Sequence, residues 1–105
     1  MTRATQTVEL KYPFDGANGA KVTQVILQEP TAGDYFVHGE PQTWIRTKDG
    51  QALVDNTETI RAYAERLIVQ PDPLIAMRYM HVLDAVAVKD AICGFFLERP
   101  AAPLN

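Results

Sequence analysis

Residues 8–29 read VELKYPFDGANGAKVTQVILQE. Val8, Leu10 and Tyr12 alternate with Glu9 and Lys11, the period of two that marks a half-buried strand, and Pro13 ends the alternation. The segment DGANG, from Asp15 to Gly19, collects residues that tolerate positive φ, and Lys21 to Glu29 then supplies Val22, Val25, Ile26 and Leu27. The stretch predicts a β-hairpin. Two strands alone are marginal in water, so the hairpin needs a helix against one face or another strand at its open edge.

Upstream, residues 1–6 are polar and read as a flexible terminus. Downstream, Pro30 stops the second strand, and Thr31 stands three residues before Asp34, a capping-box spacing that starts a short helix through Tyr35, Phe36 and Val37. Gly39 and Pro41 end it. Thr43 to Thr47 and Gln51 to Val54 flank Lys48, Asp49 and Gly50, the pattern of a second hairpin turning at Asp-Gly.

The carboxy-terminal half is helical in pattern. With Asp55, Asn56 or Thr57 as cap, Ile60, Tyr63, Ala64, Leu67 and Ile68 form one apolar stripe, and Arg61 and Glu65 can pair on its wet face. Pro71 breaks this helix. Asp72 and Pro73 restart another, because aspartate caps free N–H groups and proline at the first helical position loses no bond. Its expected buried side is Leu74 and Met77, with Met80 or His81. Asp84 is the cap candidate for a last helix whose stripe is Val88, Ala91, Ile92, Phe95 and Phe96. Gly94 within it costs about 1 kcal/mol relative to alanine, which calls for close packing or a surface that admits a partner. Pro100 and Pro103 end the fold. The sum is an α+β domain over residues 7–98, an N-terminal β-hairpin with a second hairpin packed against two to three C-terminal helices, followed by a flexible tail at 99–105.

A chain of 105 residues has room for one core, and 47% hydrophobic with 22% charged residues excludes disordered, collagen-like and coiled-coil compositions. The net charge of −3 is spread evenly along the chain with no basic patch, which disfavours nucleic acid as a partner. The single cysteine, Cys93, forms no internal bridge and agrees with a reducing cytoplasm. Neither the first ten residues nor the apolar stretch from Val82 to Val88 is a signal peptide or a membrane span. His38, His81 and Cys93 have no metal-ligand spacing, and Gly16 and Gly19 precede no helix that would make a phosphate loop, so no metal and no cofactor is expected. His81, Asp84 and Cys93 could form a nucleophilic set, set against Asp84 as a helix cap and Cys93 as a small core residue. Tyr35, Phe36 and Trp44 cluster in the least regular third of the chain. They either close the core between hairpin and helices or face a partner, and Phe96, about 100° from Phe95 on a helix, can line a groove at its rim.

Taken in order, VELKYPF (8–14), VTQVILQEPTAGDY (22–35) and PDPLIAMRYMHVLDAVAVKDAICGFF (71–96) resemble the tail assembly chaperones of Mu-like and related tailed phages and prophages. The recognisable pieces are Pro30, Thr31, Gly33 and Asp34 after the second strand, and Leu83 and Asp84 before a helix ending in Phe95 and Phe96. The resemblance covers most of the chain except residues 40–56, which stand as an insertion. It implies a non-catalytic protein of the host cytoplasm that binds the helical tape-measure protein during tail assembly and is absent from the virion. The tail-tube protein is a second candidate partner, self-association is allowed, and this chain would be the shorter of two forms made by translational frameshifting. Tyr35, Phe36, Trp44 and Phe96 are the candidate contacts, since aromatic side chains dominate interface hot spots. Two other readings stay open: a structural tail subunit or homo-oligomeric adaptor sealed through the hairpin edge, and a small thiol enzyme using Cys93 with His81.

Overall fold

The computed structural model describes residues 3–97. The elements in order are β1 (Thr5–Asp15), β2 (Lys21–Gln28), α1 (Ala32–His38), β3 (Gln42–Thr47), β4 (Gly50–Asp55), α2 (Thr57–Leu67), β5 (Ile68–Gln70), α3 (Pro73–Tyr79) and α4 (Val82–Gly94). The fold is α+β: a three-stranded antiparallel sheet in the order β1-β2-β5 and a separate β3-β4 ribbon, with the helices packed on the sheet. The hairpin turn is closed by the Gly16 N–H on the Ala20 carbonyl at 2.8 Å, and Gly19 takes the left-handed conformation, φ +77°, that a side chain would resist. The strand begins at Thr5, three residues before the alternation does, and Ala4 accepts from the Glu29 N–H at 2.8 Å.

The core follows the periodicities. Val8 and Leu10 of β1 and Val25 and Leu27 of β2 face Tyr63, Ala64 and Leu67 of α2, Ala76 of α3, and Val88, Ala91 and Ile92 of α4. Thr31 and Asp34 cap α1 reciprocally, and Asp72 with Pro73 opens α3. Arg61 and Glu65 do pair, at 3.8 Å on the exposed side of α2.

Several expectations need correction. Pro13 does not end β1, which runs on to Asp15. Between the Glu9–Gln24 and Phe14–Val22 pairs the register slips, so Leu10 to Pro13 stand opposite Thr23 alone, and a proline in a bulge costs the ladder no donor. Asp84 does not cap α4. His81 does, its Nδ1 accepting from the Leu83 N–H at 3.1 Å, while the Asp84 carboxylate crosses to β1 and accepts the N–H groups of Lys11 at 2.9 Å and Tyr12 at 3.0 Å. Asp84 is 2% exposed. A buried carboxylate thus replaces the ladder partners that the bulge removes. Ile68 leaves α2 and, with Val69 and Gln70, forms β5, which pairs with Ile26 and Leu27 and covers the carboxy-terminal part of the edge of β2 that the hairpin left open. Leu74 and Met77 are exposed, and it is Ala76 and Met80 that α3 turns to the core. Gly94 is the last residue of α4 and exposed, with nothing within 4 Å of where a Cβ would lie, so it does not mark close packing within the chain. Phe95 and Phe96 fall in the turn beyond the helix. The tail at 99–105, with Pro100 and Pro103, lies outside the described residues.

Replacing Asp84 by alanine strands two part-buried N–H groups at once. Asp84→Ala is expected to lower unfolding stability by about 2 to 4 kcal/mol, read as a shifted urea midpoint, whereas the neighbouring exposed Leu83→Ala should change it by less than about 1 kcal/mol.

Candidate functional site

Tyr35, Phe36, Trp44 and Phe96 border one surface, and the elements that carry them are fixed from below. Asp34, 6% exposed, is the tie. Its Oδ2 accepts from the Thr31 N–H at 3.0 Å and from Arg3 Nη2 at 3.1 Å, and its Oδ1 from Arg66 Nε at 2.9 Å, which joins α1 to the start of β1 and to α2. The Thr31 N–H and the Arg66 guanidinium hold the Asp34 carboxyl at about 2, against an ordinary 3.8. At the other end of α1, Gly39 turns with φ +84°, and its carbonyl accepts the hydroxyl of buried Tyr63 at 2.8 Å. Burial raises the Tyr63 phenol above its ordinary value. A seven-residue helix held at both ends on its inner side shows Tyr35, Phe36 and Val37 to solvent.

The rings form a chain that climbs from core to surface. Phe96, half-buried, lies 5.0 Å from Tyr63 below and 6.3 Å from Tyr35 above, and Tyr35 meets Phe36 edge-on at 5.5 Å, centroid to centroid. The Tyr35 hydroxyl donates to Glu40 Oε1 at 2.8 Å, which holds the ring in place and raises the phenol pKa. Phe36 stands 82% exposed at the outer end. On the other side of Phe96, a cleft of about 130 Å³ is walled by Pro41, Trp44, Leu53, Cys93 and Leu97. Trp44, 64% exposed, sits opposite Leu53 across the ribbon. Of the four candidates the structure brings Tyr35, Phe36 and Phe96 into ring contact, and Trp44 joins them through the cleft without touching another ring. Phe36 and Trp44 do not close the core.

The ribbon itself is anchored at its base. Lys89 Nζ reaches Asp55 Oδ2 at 2.9 Å, Gln42 Nε2 donates to Asp55 Oδ1 at 2.7 Å, and Asn56 Nδ2 donates to the Glu40 carbonyl and to Thr43 Oγ1. The hydrogen bond from Gln42, then that from Lys89, lowers the Asp55 pKa, and the bond to Asp55 raises that of Lys89. Beyond that base its two strands contact chiefly each other. Sequence reasoning missed Leu53, Val37, Glu40 and Leu97. Leu53 had a signal: a two-residue turn at Lys48–Asp49 fixes the register that pairs it with Trp44. The Tyr35–Glu40 bond had none.

The nucleophilic set is not assembled. Asp84 is spent on β1, His81 on the α4 cap, and Cys93 lies nine residues beyond Asp84, about 13 Å along the helix. Cys93 is buried, which raises its thiol pKa above the ordinary value. Among the described residues no three His, Cys, Asp or Glu side chains converge on a point that would hold a metal ion, and no helix is long and apolar enough to cross a membrane. An open groove of about 450 Å³ lies elsewhere, between the Gly16–Ala20 turn, the Lys21–Gln24 part of β2 and the Pro71–Ile75 segment.

No family model, no curated protein and no solved structure matches the chain.

Two outcomes are expected of the groups beneath this surface. Asp34 has a folded-state pKa below its unfolded value, so its contribution is complete above about pH 4 and is lost as pH falls toward 2; about 2 kcal/mol of stability should disappear over that window, and Asp34→Asn should remove that part of the acid dependence in urea titrations at successive pH values. The Cys93 thiol should react with a disulfide reagent at pH 8 at least about a hundredfold more slowly in the folded protein than in denaturant.

Proposed function

We propose that this protein is a phage tail assembly chaperone of the host cytoplasm that binds the tape-measure protein, holds it soluble until tube subunits enclose it, and carries out no catalysis. The observation that carries the reading is the exposed aromatic surface of Tyr35, Phe36, Trp44 and Phe96, set on rigidly held elements and flanked by exposed Val37, Leu53 and Leu97. A tape-measure chain presents long amphipathic helices, and such helices bind through apolar anchors at i, i+3, i+4 and i+7 laid into a groove. A row of rings beside a shallow cleft, with Trp44 on the cleft's wall, suits anchors of that spacing. The acidic net charge of the chain helps keep a complex with apolar helices in solution. Tyr35 and Phe96 also lie in the segments that carry the sequence resemblance to the tail assembly chaperones, whereas Trp44 lies in the 40–56 stretch that the resemblance leaves out.

Co-expression with the tape-measure protein encoded in the same phage or prophage tests it. The expected result is soluble tape-measure protein that co-elutes with this chain. Phe36→Ala and Trp44→Ala should each weaken the complex about tenfold or more while leaving the far-ultraviolet circular dichroism unchanged, because both side chains are exposed. Tape-measure protein that stays insoluble, with no complex, would turn the reading toward a structural tail subunit.

A further inference from the structure

The cleft beside Phe96 offers a partner side chains and little main chain. Of the backbone groups along it, the Glu40 carbonyl accepts from Asn56 Nδ2, the Pro41 carbonyl from the Asn56 N–H, and the Cys93 carbonyl from the Phe96 N–H at 3.0 Å. Those of Gln42, Trp44 and Leu53 lie in the plane of the ribbon, where β3 and β4 pair with each other. An extended peptide laid into the cleft finds no ladder to join. The occupant must satisfy its own main chain, as a helix does.

The two ends of the cleft carry opposite charge. Glu40 lines it at the base of the ribbon, exposed, with Oε1 accepting from the Tyr35 hydroxyl. Arg46 stands toward the tip. Side chains two apart on a strand share a face, so Arg46 follows Trp44 on the face that walls the cleft, exposed and opposite Gln51. Neither Glu40 nor Arg46 makes an ion pair among the described residues. From Thr43 to Val54 the ribbon carries Arg46, Lys48 and Asp49, a net +1 in a chain of net −3. The apolar lining therefore runs from an acidic end to a basic one. Gln42 to Arg46 alone spans about 13 Å at the rise of a strand.

We propose, resting on the chaperone reading above, that the tape-measure segment held here is an amphipathic helix with a set order of charge. A Lys or Arg of the helix meets Glu40, an Asp or Glu on the same face meets Arg46, and the apolar residues between them cover Trp44, Leu53 and Phe96. A span of about 13 Å is about nine residues of helix, and the positions that return to one face over that length place the two charges about seven to eleven residues apart. Such charges select more than they bind: an equally apolar helix with the order reversed meets like charge at both ends and is rejected.

Fluorescence anisotropy with labelled peptides of about 20 residues, tiled along the tape-measure protein of the same phage or prophage, tests the order. The peptides that bind are expected to carry it, and raising salt from about 50 to 500 mM should weaken them at least about fivefold. Glu40→Gln keeps the acceptor for Tyr35 and removes only the charge; combined with Arg46→Gln it should flatten the salt dependence with circular dichroism unchanged. Exchanging the basic and acidic residues of a bound peptide should weaken it about tenfold, and the double variant Glu40→Lys with Arg46→Glu should prefer the exchanged peptide. Peptides held with no preference between the two orders, or with no response to salt, overturn the charge order and leave the chaperone reading in place. If neither the peptides nor the intact tape-measure protein binds, both fall.

Discussion

The carboxylate of Asp84 and the bulge in β1 require each other. A strand with four residues opposite one has lost its ladder where it must still pass beside the core, and the part-buried Lys11 and Tyr12 N–H groups there would be left without protein partners. Asp84 supplies both acceptors from the first turn of α4, more than seventy residues along the chain. The bond sets how α4 lies on the sheet, hence where its carboxy-terminal end falls, hence where Phe95 and Phe96 leave it. The position of Phe96 between Tyr63 and Tyr35 is a downstream effect of that contact.

A second carboxylate works the same way at the other side of the domain. Asp34 completes a local cap with Thr31 and also draws in Arg3 and Arg66, so one buried charge holds three segments in register. Such a group is costly to bury unless fully paired, and here it is paired on both oxygens. Together the two aspartates hold the ends of the aromatic surface: Asp34 fixes α1, which bears Tyr35 and Phe36, and Asp84 fixes α4, which delivers Phe96.

Local chemistry was readable wherever the signal lay within a few residues. Thr31 with Asp34, Asp72 with Pro73, the Lys48–Gly50 turn and the stripe from Ile60 to Leu67 all formed as their spacing predicts. What stayed hidden depended on distant partners. Ile68 to Gln70 prolong a helical pattern and become a strand only because β2 offers an edge. Asp84 has the spacing of a helix cap, and nothing nearby shows that β1 has the stronger need. Leu74 and Met77 have core-like types on a helix too short for its period to tell which side is covered. The four aromatic residues could be chosen by type, but their meeting on one surface is set by Tyr63, Gly39 and the end of α4, none of which marks it in the local pattern.

The base of the β3–β4 ribbon has one more implication. The Asn56 N–H donates to the Pro41 carbonyl at 2.8 Å, and Pro41 is buried, so the chain leaves the domain and returns to it at almost one point. Residues 42–55 are therefore a cassette. The path through α1 and α2 is closed beneath them, and a lineage could lengthen, replace or discard this arm, with its tryptophan, without redrawing the body that carries it. The arm and the body can then change at different rates within a single small domain, the one an interchangeable fitting on the other.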